Sequence, residues 1–261
     1  MTTSAPRHPS LVALEGGINF RDLGGLYTAD GQRIRPRKLF RAGSLDQLSA
    51  ADCEHLAGVP VSHVVDYRDP DEVTAKPDIL WEGAHYHTCP ANPIRHEVTA
   101  SLESLGSDQL SAFDSQAFML ELYRRLPFNN PAYRQLVALL QGPEEGALVQ
   151  HCAVGKDRTG IGSALVLFAL GVDEKTVMED YLVTDITLAP FREQLLTSLA
   201  DTLNEKALSQ FSFVLSVQEA FLATALRTIK ERYGSINRWL ATDYGLDDDA
   251  RNQLQRKYLA D

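Results

Sequence analysis

The sequence predicts an α/β fold, with a mostly parallel central sheet flanked by helices, and three observations lead to this prediction. Short apolar, β-branched segments alternate with longer amphipathic segments through residues 16–172. Gly, Pro, Asp and Ser separate these segments, as turn-forming and capping residues do. Residues 173–261 carry helical periodicity alone. Strands that alternate with helices, followed by a helical tail, are typical of a parallel sheet covered by helices.

Composition limits the class of protein. The chain has 261 residues, a length that suits one domain over 1–261, and its 44% apolar and 23% charged residues argue against disorder. With 25 Lys and Arg against 35 Asp and Glu, the net charge is −10. This charge disfavours a nucleic-acid or anionic-membrane binder, although it permits a local basic pocket. The oligomeric state stays open.

Cysteine usage and the N-terminal sequence bear on localisation. Cys53, Cys89 and Cys152 cannot all pair and form no CxxC, which favours a reducing compartment. Residues 1–17 lack the apolar region of a signal peptide, and the longest apolar run, 164–170, is too short to span a membrane. We therefore expect a cytoplasmic protein without stable membrane insertion, with signal-independent secretion as the alternative.

The first elements follow from local signals. Residues 1–15 have the composition of a loose N-terminal arm, and Asp30-Gly31 between LYTA and QRIR predicts a hairpin turn. Residues 38–42 (KLFRA) form a short strand candidate. A helix begins after Ser49 and ends at Gly58, because a hydroxyl at the N-cap and an acid three residues later satisfy free backbone amides.

The middle of the chain continues this alternation and then interrupts it. Residues 61–66 (VSHVVD) are apolar and β-branched, which fits a buried parallel strand. The run at 69–72 (DPDE) starts another helix, with Asp at the N-cap, Pro at N1 and Glu at N3, and residues 85–89 predict a further strand. Residues 91–130 break the rhythm and contain one helical stretch, 115–126. Such an insertion is a candidate lid.

The second half of the sheet region and the tail follow. Asn130-Pro131 begins a helix that Gly142-Pro143 ends. Residues 147–150 predict a short buried strand, and 158–170 a helix that ends at Gly171. The helical region 173–261 divides into predicted helices over 173–184, 190–205, 216–232, 235–242 and 247–259.

The strongest motif is the decapeptide HCAVGKDRTG at residues 151–160, between a predicted strand and a predicted helix. We call residues 152–158 the phosphate loop, because the spacing between Cys152 and Arg158 lets the chain wrap around a tetrahedral anion. Gly155 permits a backbone conformation that other residues resist. Amides of the loop and of the helix start can all point inward as an anion nest. The loop residues between the two ends are Ala153, Val154, Gly155, Lys156 and Asp157.

Three side chains of this motif carry the predicted chemistry. Arg158 can add a bidentate fork to two phosphate oxygens. The positive field of the loop favours the ionised thiolate of Cys152, which makes it a nucleophile near neutral pH. The Thr159 hydroxyl is placed to donate a hydrogen bond to the sulfur. That bond would assist the sulfur as a leaving group in a second step.

Two competing phosphate-binding motifs do not fit the sequence. A Walker A loop needs Gly at position 150 and Ser or Thr at position 157, where Gln150 and Asp157 stand. No GxGxxG occurs, so a Rossmann nucleotide site is unsupported.

The motif and four further blocks resemble a known family. HCxxGxxR[ST]G is the signature of cysteine-dependent protein tyrosine phosphatases, and the fuller form HCAVGKDRTG resembles the atypical bacterial tyrosine and lipid phosphatases of the PtpB type. The further blocks are NFRDLGG at 19–25, LFRAG at 39–43, VVDYRDPDEV at 64–73 and YGSINRWL at 233–240. In the third block Tyr67 stands where Leu is usual. The resemblance covers most of residues 16–245 and is weakest in 91–130.

The resemblance implies a protein tyrosine phosphatase-like fold with a helical lid and no metal or other cofactor. It implies activity on phosphotyrosine, extending to phosphoserine, phosphothreonine or phosphoinositides, so that phosphotyrosine proteins or phosphoinositides are the expected partners. Cys152 would attack phosphorus and form a cysteinyl phosphate. Arg158 and the loop amides would stabilise the equatorial oxygens.

A general acid must protonate the leaving oxygen and then activate water. Many tyrosine phosphatases place it in a separate Trp-Pro-Asp motif, which this sequence lacks. Following the resemblance, Asp157 is the first choice. Asp66, at the carboxyl end of its strand, where open α/β sheets bind ligands, is the second. The alternatives are an ion pair between Asp157 and Lys156, and a structural hydrogen bond from the loop to Asp66.

Two basic residues have candidate roles in binding. Lys156 would enlarge the basic pocket and contact a second phosphate, as in lipid phosphatases; the alternative is a lysine at the rim in solvent. Arg21, within the NFRDLGG block, is a candidate substrate-binding residue that would also brace the phosphate loop; the alternative is a structural salt bridge.

Three other functions are compatible with the sequence. The first is a phosphoinositide phosphatase with the same machinery. The second is a phosphate-binding pseudophosphatase, which keeps the loop and lacks turnover. The third is a metal-dependent hydrolase that uses His85, His87 and Cys89, which alternate along one strand face.

Overall fold

A five-stranded sheet lies at the centre of the structure, a computed structural model that describes residues 8–94, 106–143 and 146–260. Its strands are β1 (Arg21–Asp22), β3 (Leu39–Ala42), β4 (Val61–Asp66), β5 (His85–Thr88) and β6 (Ala147–His151). They lie in the order β1-β3-β6-β4-β5. β1 is antiparallel to β3, and the other neighbouring strands are parallel. β2 (Arg33–Ile34) and β7 (Leu259–Ala260) form a separate antiparallel pair. The predicted α/β class with a mostly parallel sheet is confirmed.

Helices surround this sheet and fill the C-terminal third of the chain. Within the described residues they are α1 (Ala50–Gly58), α2 (Pro70–Ala75), α3 (Ser107–Ala112), α4 (Ser115–Arg125), α5 (Pro131–Gln141), α6 (Asp157–Ala169), α7 (Glu174–Leu199), α8 (Glu205–Leu215), α9 (Glu219–Tyr233), α10 (Ile236–Tyr244) and α11 (Asp248–Tyr258). None of these helices has the length and apolar character needed to cross a membrane.

The carboxyl ends of four strands meet at one edge of the sheet. The register pairs His151 at the end of β6 with Ala42 on one side and Asp66 on the other. Asp66 in turn pairs with Thr88 at the end of β5. The phosphate loop therefore leaves the sheet from its central strand, at the edge where parallel α/β sheets bind ligands.

Helix α6, which follows the phosphate loop, is covered on all sides. Residues 159–169 of this helix are buried. It packs on β3 and β6, and α7, α10 and α11 pack against it as well. A helix that is apolar all round needs such complete cover. One hydrophobic cluster runs from Leu23 to Leu259, and on this ground we propose that residues 1–261 form a single domain.

Local capping signals mark the helix starts that the sequence predicts. The Ser49 hydroxyl accepts the Asp52 N–H at 3.2 Å, and the Asp52 carboxylate accepts the Ser49 N–H at 3.0 Å. The Asn130 side chain accepts the Ala132 N–H at 3.1 Å at the start of α5. The hairpin is present too, with Gly31 at a φ of 87°. These elements form where predicted because each signal acts over a few residues.

The helical region differs from the prediction at two places. The predicted helices 173–184 and 190–205 are one continuous helix, α7, with Pro190 inside it. Proline removes only the hydrogen bond to Ile186, and both residues are exposed, so water can satisfy the freed carbonyl. The second difference is α8, which begins at the Asn204 N-cap. Its buried Ala207, Phe211 and Leu215 recur every four residues, a helical signal that the prediction missed.

The N-terminal arm and the predicted insertion also differ in part from expectation. Residues 8–15 are held against the fold: the Val12 N–H donates to the Phe20 carbonyl at 3.0 Å, and the Glu15 N–H donates to Asp52 at 2.8 Å. Residues 1–7 lie outside the described residues. Of the insertion 91–130, residues 95–105 lie outside the description as well, and the remainder contains α3 and α4.

Candidate active site

The carbonyl groups of the phosphate loop accept hydrogen bonds from the protein around the loop. The Ser44 backbone N–H donates to the carbonyl of residue 153 at 2.9 Å. The Asn19 side-chain amide donates to the carbonyls of residues 154 and 155 at 3.2 and 3.0 Å. The Arg41 guanidinium donates to the carbonyl of residue 155 at 3.0 Å. Three successive carbonyls are thereby turned into the protein body.

In a trans peptide unit the N–H points opposite to the C=O, so the amides of residues 154–156, which share these peptide units, face away from the protein body. In the described part of the chain, the backbone N–H groups of residues 153–157 donate to no other residue. Helix α6 begins at Asp157, so its positive end is directed at the same place. Free amides next to a helix N-terminus form an anion-binding nest. The loop therefore has the geometry of an oxyanion site.

Gly155 is required at its position for two reasons. Its φ is 69°, a left-handed conformation that side chains disfavour. A Cβ there would also lie 2.5 Å from the carbonyl carbon and oxygen of Ala42 and 2.7 Å from the Gly43 nitrogen. The loop can therefore pass close to the end of β3 only with glycine at this position.

Cys152 and Arg158 stand at the two ends of the phosphate loop. Cys152 directly follows β6 and is 1% exposed. Arg158 lies in the first turn of α6, where the Tyr133 hydroxyl donates to its carbonyl at 2.7 Å. Burial lowers the pKa of Arg158, but the Glu72 carboxylate outweighs it and holds that pKa well above the usual range. The guanidinium is thus always charged.

Glu72 is a site residue that the sequence analysis treated only as a helix cap. Its two carboxylate oxygens accept a fork of hydrogen bonds from Arg158, at 2.5 and 2.8 Å. The same carboxylate accepts the Asp69 N–H at 2.8 Å, which is the capping contact predicted for α2. Glu72 therefore ties α2 to the phosphate loop and fixes the plane of the guanidinium.

Asp66, the second choice for the general acid, lies in a network of donors. Arg68 donates to it from Nε at 3.0 Å and from Nη2 at 2.8 Å, and the Tyr86 hydroxyl donates at 2.5 Å. Burial raises its pKa, but the charge of His151 and the hydrogen bonds from Arg68 outweigh this and lower it to about 2. Asp66 is fully buried and does not line the cleft above the loop.

His151 connects this network to the phosphate loop. Its Nε2 lies 3.2 Å from the carboxylate of Asp78 and 3.7 Å from that of Asp66. Its Nδ1 lies 3.4 Å from the Cys152 carbonyl oxygen. Burial lowers the pKa of His151, but Asp66 and then Asp78 outweigh it, so the net pKa is raised. A histidine ring held between two carboxylates and a loop carbonyl fixes the base of the loop.

Two places in the fold carry side chains of the types that bind metal ions. Among the described residues, Asp66, Asp78 and His151 form a group of potential ligands close enough to share one ion. The Arg68 guanidinium, 2.8 Å from Asp66 and 2.6 Å from Asp78, already forms an ion pair with each carboxylate. His85, His87 and Cys89, the predicted metal-binding face, do not form a second group of this kind among the described residues. The rings of His85 and His87 pack on the His63 ring, at centroid distances of 5.7 and 5.2 Å.

Lys156 does not occupy the position predicted for it. It is fully buried, and its ammonium donates to the carbonyls of Val214 and of Ser216, the latter at 2.8 Å, at the C-terminal end of α8. A third contact joins it to the Asp157 carboxylate at 3.4 Å. Two of the three donors of the ammonium are thus used in hydrogen bonds, and its charge is paired with Asp157. Lys156 is therefore neither a rim lysine nor free to contact a second phosphate.

Arg21 braces the loop only through other residues. Its guanidinium pairs with Asp180 on α7 at 3.2 Å and donates to the Asn19 side chain. Asn19 donates to two of the loop carbonyls. Arg41, which also donates to a loop carbonyl, pairs with Asp180 at 2.5 Å. The NFRDLGG and LFRAG blocks thus build a buried support for the phosphate loop. Arg21 itself does not line the cleft, so the prediction of direct substrate binding is corrected.

Asp157 and Thr159 complete the predicted set. The Asp157 side chain is 17% exposed and lines the cleft, and its Oδ1 accepts the Tyr123 hydroxyl at 2.7 Å. The Thr159 hydroxyl is buried and has no hydrogen-bond partner among the described residues. The predicted bond from Thr159 to the Cys152 sulfur is therefore not formed in this conformation.

A cleft above the phosphate loop combines apolar and polar lining. The loop contributes Ala153, Val154, Asp157 and Arg158. The apolar lining comes from α4, α7 and α8, namely Phe118, Met119, Leu122, Phe191, Phe211, Val214 and Leu215. The polar lining is Ser44, Asp46, Gln47, Arg68, Glu72, Lys76 and Asn92. An anion site beside aromatic side chains suits a phosphate ester with an aromatic alcohol.

Comparison with protein-family models decides the affiliation. The model described as the tyrosine phosphatase family matches residues 12–260. The chain belongs to this family. As a tyrosine phosphatase it is a phosphoric monoester hydrolase, and the general mechanism of its family passes through a cysteinyl phosphate.

Individual relatives agree with this affiliation. A protein of Cupriavidus necator, provisionally named a tyrosine-protein phosphatase, is 32% identical over 98% of this chain and 93% of its own length. The triple specificity protein phosphatase PtpB of Mycobacterium tuberculosis is 30% identical over 93% of this chain and 96% of its own length. A tyrosine-protein phosphatase of Nostoc commune is 28% identical over 55% of this chain and 47% of its own length. The resemblance to the PtpB type is thus confirmed over nearly the full chain.

Proposed function

We propose that this tyrosine phosphatase hydrolyses phosphotyrosine in proteins with Cys152 as nucleophile, and accepts phosphoserine and phosphothreonine as further substrates. The observation that carries the proposal is the set of three loop carbonyls bonded away from the site, which leaves the amides of residues 153–157 for the phosphate. Preorganised donors of this kind stabilise charge that develops in a transition state. Phosphoproteins are the corresponding partners.

In the first step, the Cys152 thiolate attacks phosphorus in line with the leaving oxygen. The sulfur–phosphorus bond forms while the bond from phosphorus to the tyrosine oxygen breaks, and the electron pair stays on that oxygen. A proton from the Asp157 carboxyl group neutralises the oxygen, so tyrosine leaves as the phenol. Arg158 and the loop amides hold the three equatorial oxygens.

In the second step, water attacks the phosphorus of the cysteinyl phosphate. The water gives a proton to the Asp157 carboxylate, which restores the acid. The phosphorus–sulfur bond breaks, the electron pair returns to Cys152 as the thiolate, and phosphate is released. The enzyme regains its starting state, and neither a metal ion nor an organic cofactor takes part in the proposed cycle.

Asp157 is preferred to Asp66 as the acid because the contacts of the two carboxyl groups differ. Asp66 accepts hydrogen bonds from Arg68 and Tyr86 that hold its carboxylate in place. It is fully buried and does not line the cleft, so it cannot reach a leaving oxygen bound there. Asp157 lines the cleft beside Arg158. We therefore assign Asp66 to the support of the loop.

Asp157→Asn is expected to slow hydrolysis by a factor that grows with the pKa of the leaving alcohol. General acid catalysis contributes on the order of 10²–10⁴-fold for a poor leaving group such as tyrosine, whose phenol has a pKa of about 10. An activated nitrophenol leaves without protonation, so its rate should change little. The measurement is kcat/KM over a series of aryl phosphates. Asp66→Asn is the comparison: if it shows the leaving-group dependence instead, the acid assignment is wrong.

The substrate class is tested by a panel with and without vanadate. A phosphotyrosine peptide is expected to be the best substrate, because Phe118, Phe191 and Phe211 line the cleft. A phosphoinositide that is hydrolysed faster than the peptide would favour the lipid phosphatase. The absence of any p-nitrophenyl phosphate hydrolysis in folded protein would favour the pseudophosphatase. Activity lost in chelator would favour the metal-dependent hydrolase.

Localisation is a separate proposal. The described cysteines Cys53, Cys89 and Cys152 are all free thiols. A thiolate nucleophile needs a reducing environment to escape oxidation. We propose that the protein works in the cytoplasm, with secretion that needs no signal peptide as the alternative.

A further inference from the structure

The orientation of Asp157 depends on two residues that no part of the proposed mechanism uses. Both contact the same carboxylate oxygen. The Tyr123 hydroxyl on α4 donates to Oδ1 at 2.7 Å, and the Lys156 ammonium lies 3.4 Å from the same atom. In the described part of the chain, the other oxygen, Oδ2, accepts no hydrogen bond. The two carboxylate oxygens are therefore not equivalent.

We propose that Tyr123 and Lys156 are positioning residues that direct Oδ2 of Asp157 toward the leaving oxygen, an inference that rests on Asp157 being the general acid. An oxygen that accepts a hydrogen bond and lies next to an ammonium is stabilised without a proton. The proton of the carboxyl group therefore sits on Oδ2. That oxygen gives its proton to the leaving phenolate in the first step and takes one from water in the second.

The surroundings of the Tyr123 hydroxyl hold it in place as a donor to Asp157. Tyr123 is fully buried, and its hydroxyl is hydrogen-bonded to that of Tyr181 at 2.8 Å. Burial, and then the charge of Asp157, raise the pKa of Tyr123 well above the usual range. The hydroxyl therefore keeps its proton and acts as a donor to Asp157. Tyr181 can in turn donate to the Tyr123 oxygen, so the chain of hydrogen bonds runs in one direction.

The Lys156 contact is anchored outside the phosphate loop. Its ammonium is held by the carbonyls of Val214 and Ser216 at the end of α8 and lies 5.5 Å from the centre of the Phe221 ring. Tyr123 is on α4, and α4 packs against both α8 and α9. The helices that line the cleft thus also fix the acid. If Tyr123 and Lys156 only stabilised the fold, either carboxylate oxygen of Asp157 could donate the proton equally well.

The deciding experiment is a double-mutant cycle on kcat/KM with Tyr123→Phe and Asp157→Asn. On a substrate with a poor leaving group, Tyr123→Phe is expected to lose about tenfold, a part of the general-acid contribution. On an activated nitrophenyl ester it should lose almost nothing. The double variant should be no slower than Asp157→Asn alone, because Tyr123 acts through that carboxyl group.

Two controls separate positioning from stability. Tyr233→Phe removes the same kind of contact, a tyrosine hydroxyl bonded to the Asp243 carboxylate at 2.5 Å, at residues that do not line the cleft. It should leave both substrates unaffected. Lys156→Met, if it folds, should show the same leaving-group dependence as Tyr123→Phe. Because Tyr123→Phe removes a single hydroxyl, the test does not depend on the lysine variant.

The outcomes are distinguishable. If Asp157→Asn is leaving-group dependent and Tyr123→Phe is not, or if the double variant loses a further tenfold, the positioning role is overturned while the acid assignment stands. If Asp157→Asn shows no leaving-group dependence, the acid assignment fails and the positioning role falls with it. A Tyr123→Phe loss that is confined to poor leaving groups and absent in the double variant establishes the role.

Discussion

Cys152→Ser is expected to abolish turnover while phosphate binding remains. The serine hydroxyl is not ionised near neutral pH and is a poorer nucleophile toward phosphorus than a thiolate, so kcat should fall on the order of 10⁴-fold or more. The amides of residues 153–157 and the Arg158 fork are unchanged, so vanadate or inorganic phosphate should still bind. Hydrolysis of p-nitrophenyl phosphate and calorimetric titration with phosphate measure the two properties separately.

Cys53→Ser is the matched control, because Cys53 is a half-buried thiol on α1 and does not line the cleft. It should keep the rate of the unaltered protein. Trapping adds a direct test: rapid acid quench should leave a labelled phosphoenzyme with the unaltered protein and with Cys53→Ser, and none with Cys152→Ser. Retained turnover or retained labelling in Cys152→Ser would refute the assigned nucleophile.

The parts of this structure that were predictable depend on interactions between near neighbours in sequence. A few neighbouring residues are enough to specify each of three elements: the Ser49 capping box, the Asn130 cap and the apolar strand 61–66. The phosphate loop is of the same kind, since strand, loop and helix start are contiguous. Cys152 and Arg158 could thus be placed at the two ends of one loop from their spacing alone.

The residues that support the site could not be predicted because their partners are remote in sequence. Glu72 contacts Arg158 across 86 positions, and Asp180 contacts Arg41 across 139. A single sequence contains no signal that pairs them. One indication was present: Arg41 is a charge within the buried strand LFRA, and a buried charge requires a partner. The identity of that partner still needed the fold.

The position of the Lys156 side chain was predicted wrongly because helix α8 was not predicted. Asp157 and Arg158 line the cleft, and by adjacency Lys156 was expected to do so as well. Its side chain instead turns to the carbonyls at the end of α8. Since the prediction did not include α8, the sequence offered no acceptor for a buried ammonium, and solvent or phosphate were the partners left.

Arg158→Ala is expected to lose both phosphate binding and rate, with kcat/KM reduced on the order of 10³–10⁵-fold, as for other arginines that clamp a transferring phosphoryl group. The loss has two sources. The variant removes the Arg158 N–H groups that Glu72 leaves free and that would bind two phosphate oxygens. It also uncovers the Glu72 carboxylate, which is 9% exposed and lines the same cleft. An unpaired carboxylate repels both the phosphate and the thiolate of Cys152.

The second source makes the role of Arg158 testable by a compensating change. A buried ion pair that loses one partner destabilises a protein by about 3–5 kcal/mol, because the remaining charge is uncompensated. Arg158→Ala combined with Glu72→Gln should therefore recover most of the stability in urea unfolding. It should recover little of the rate, since no group replaces the fork. A near-normal rate in Arg158→Ala, or full recovery in the double variant, would show that Arg158 only holds α2 in place. Loss of rate that persists after stability returns would show that the guanidinium acts on the phosphate itself.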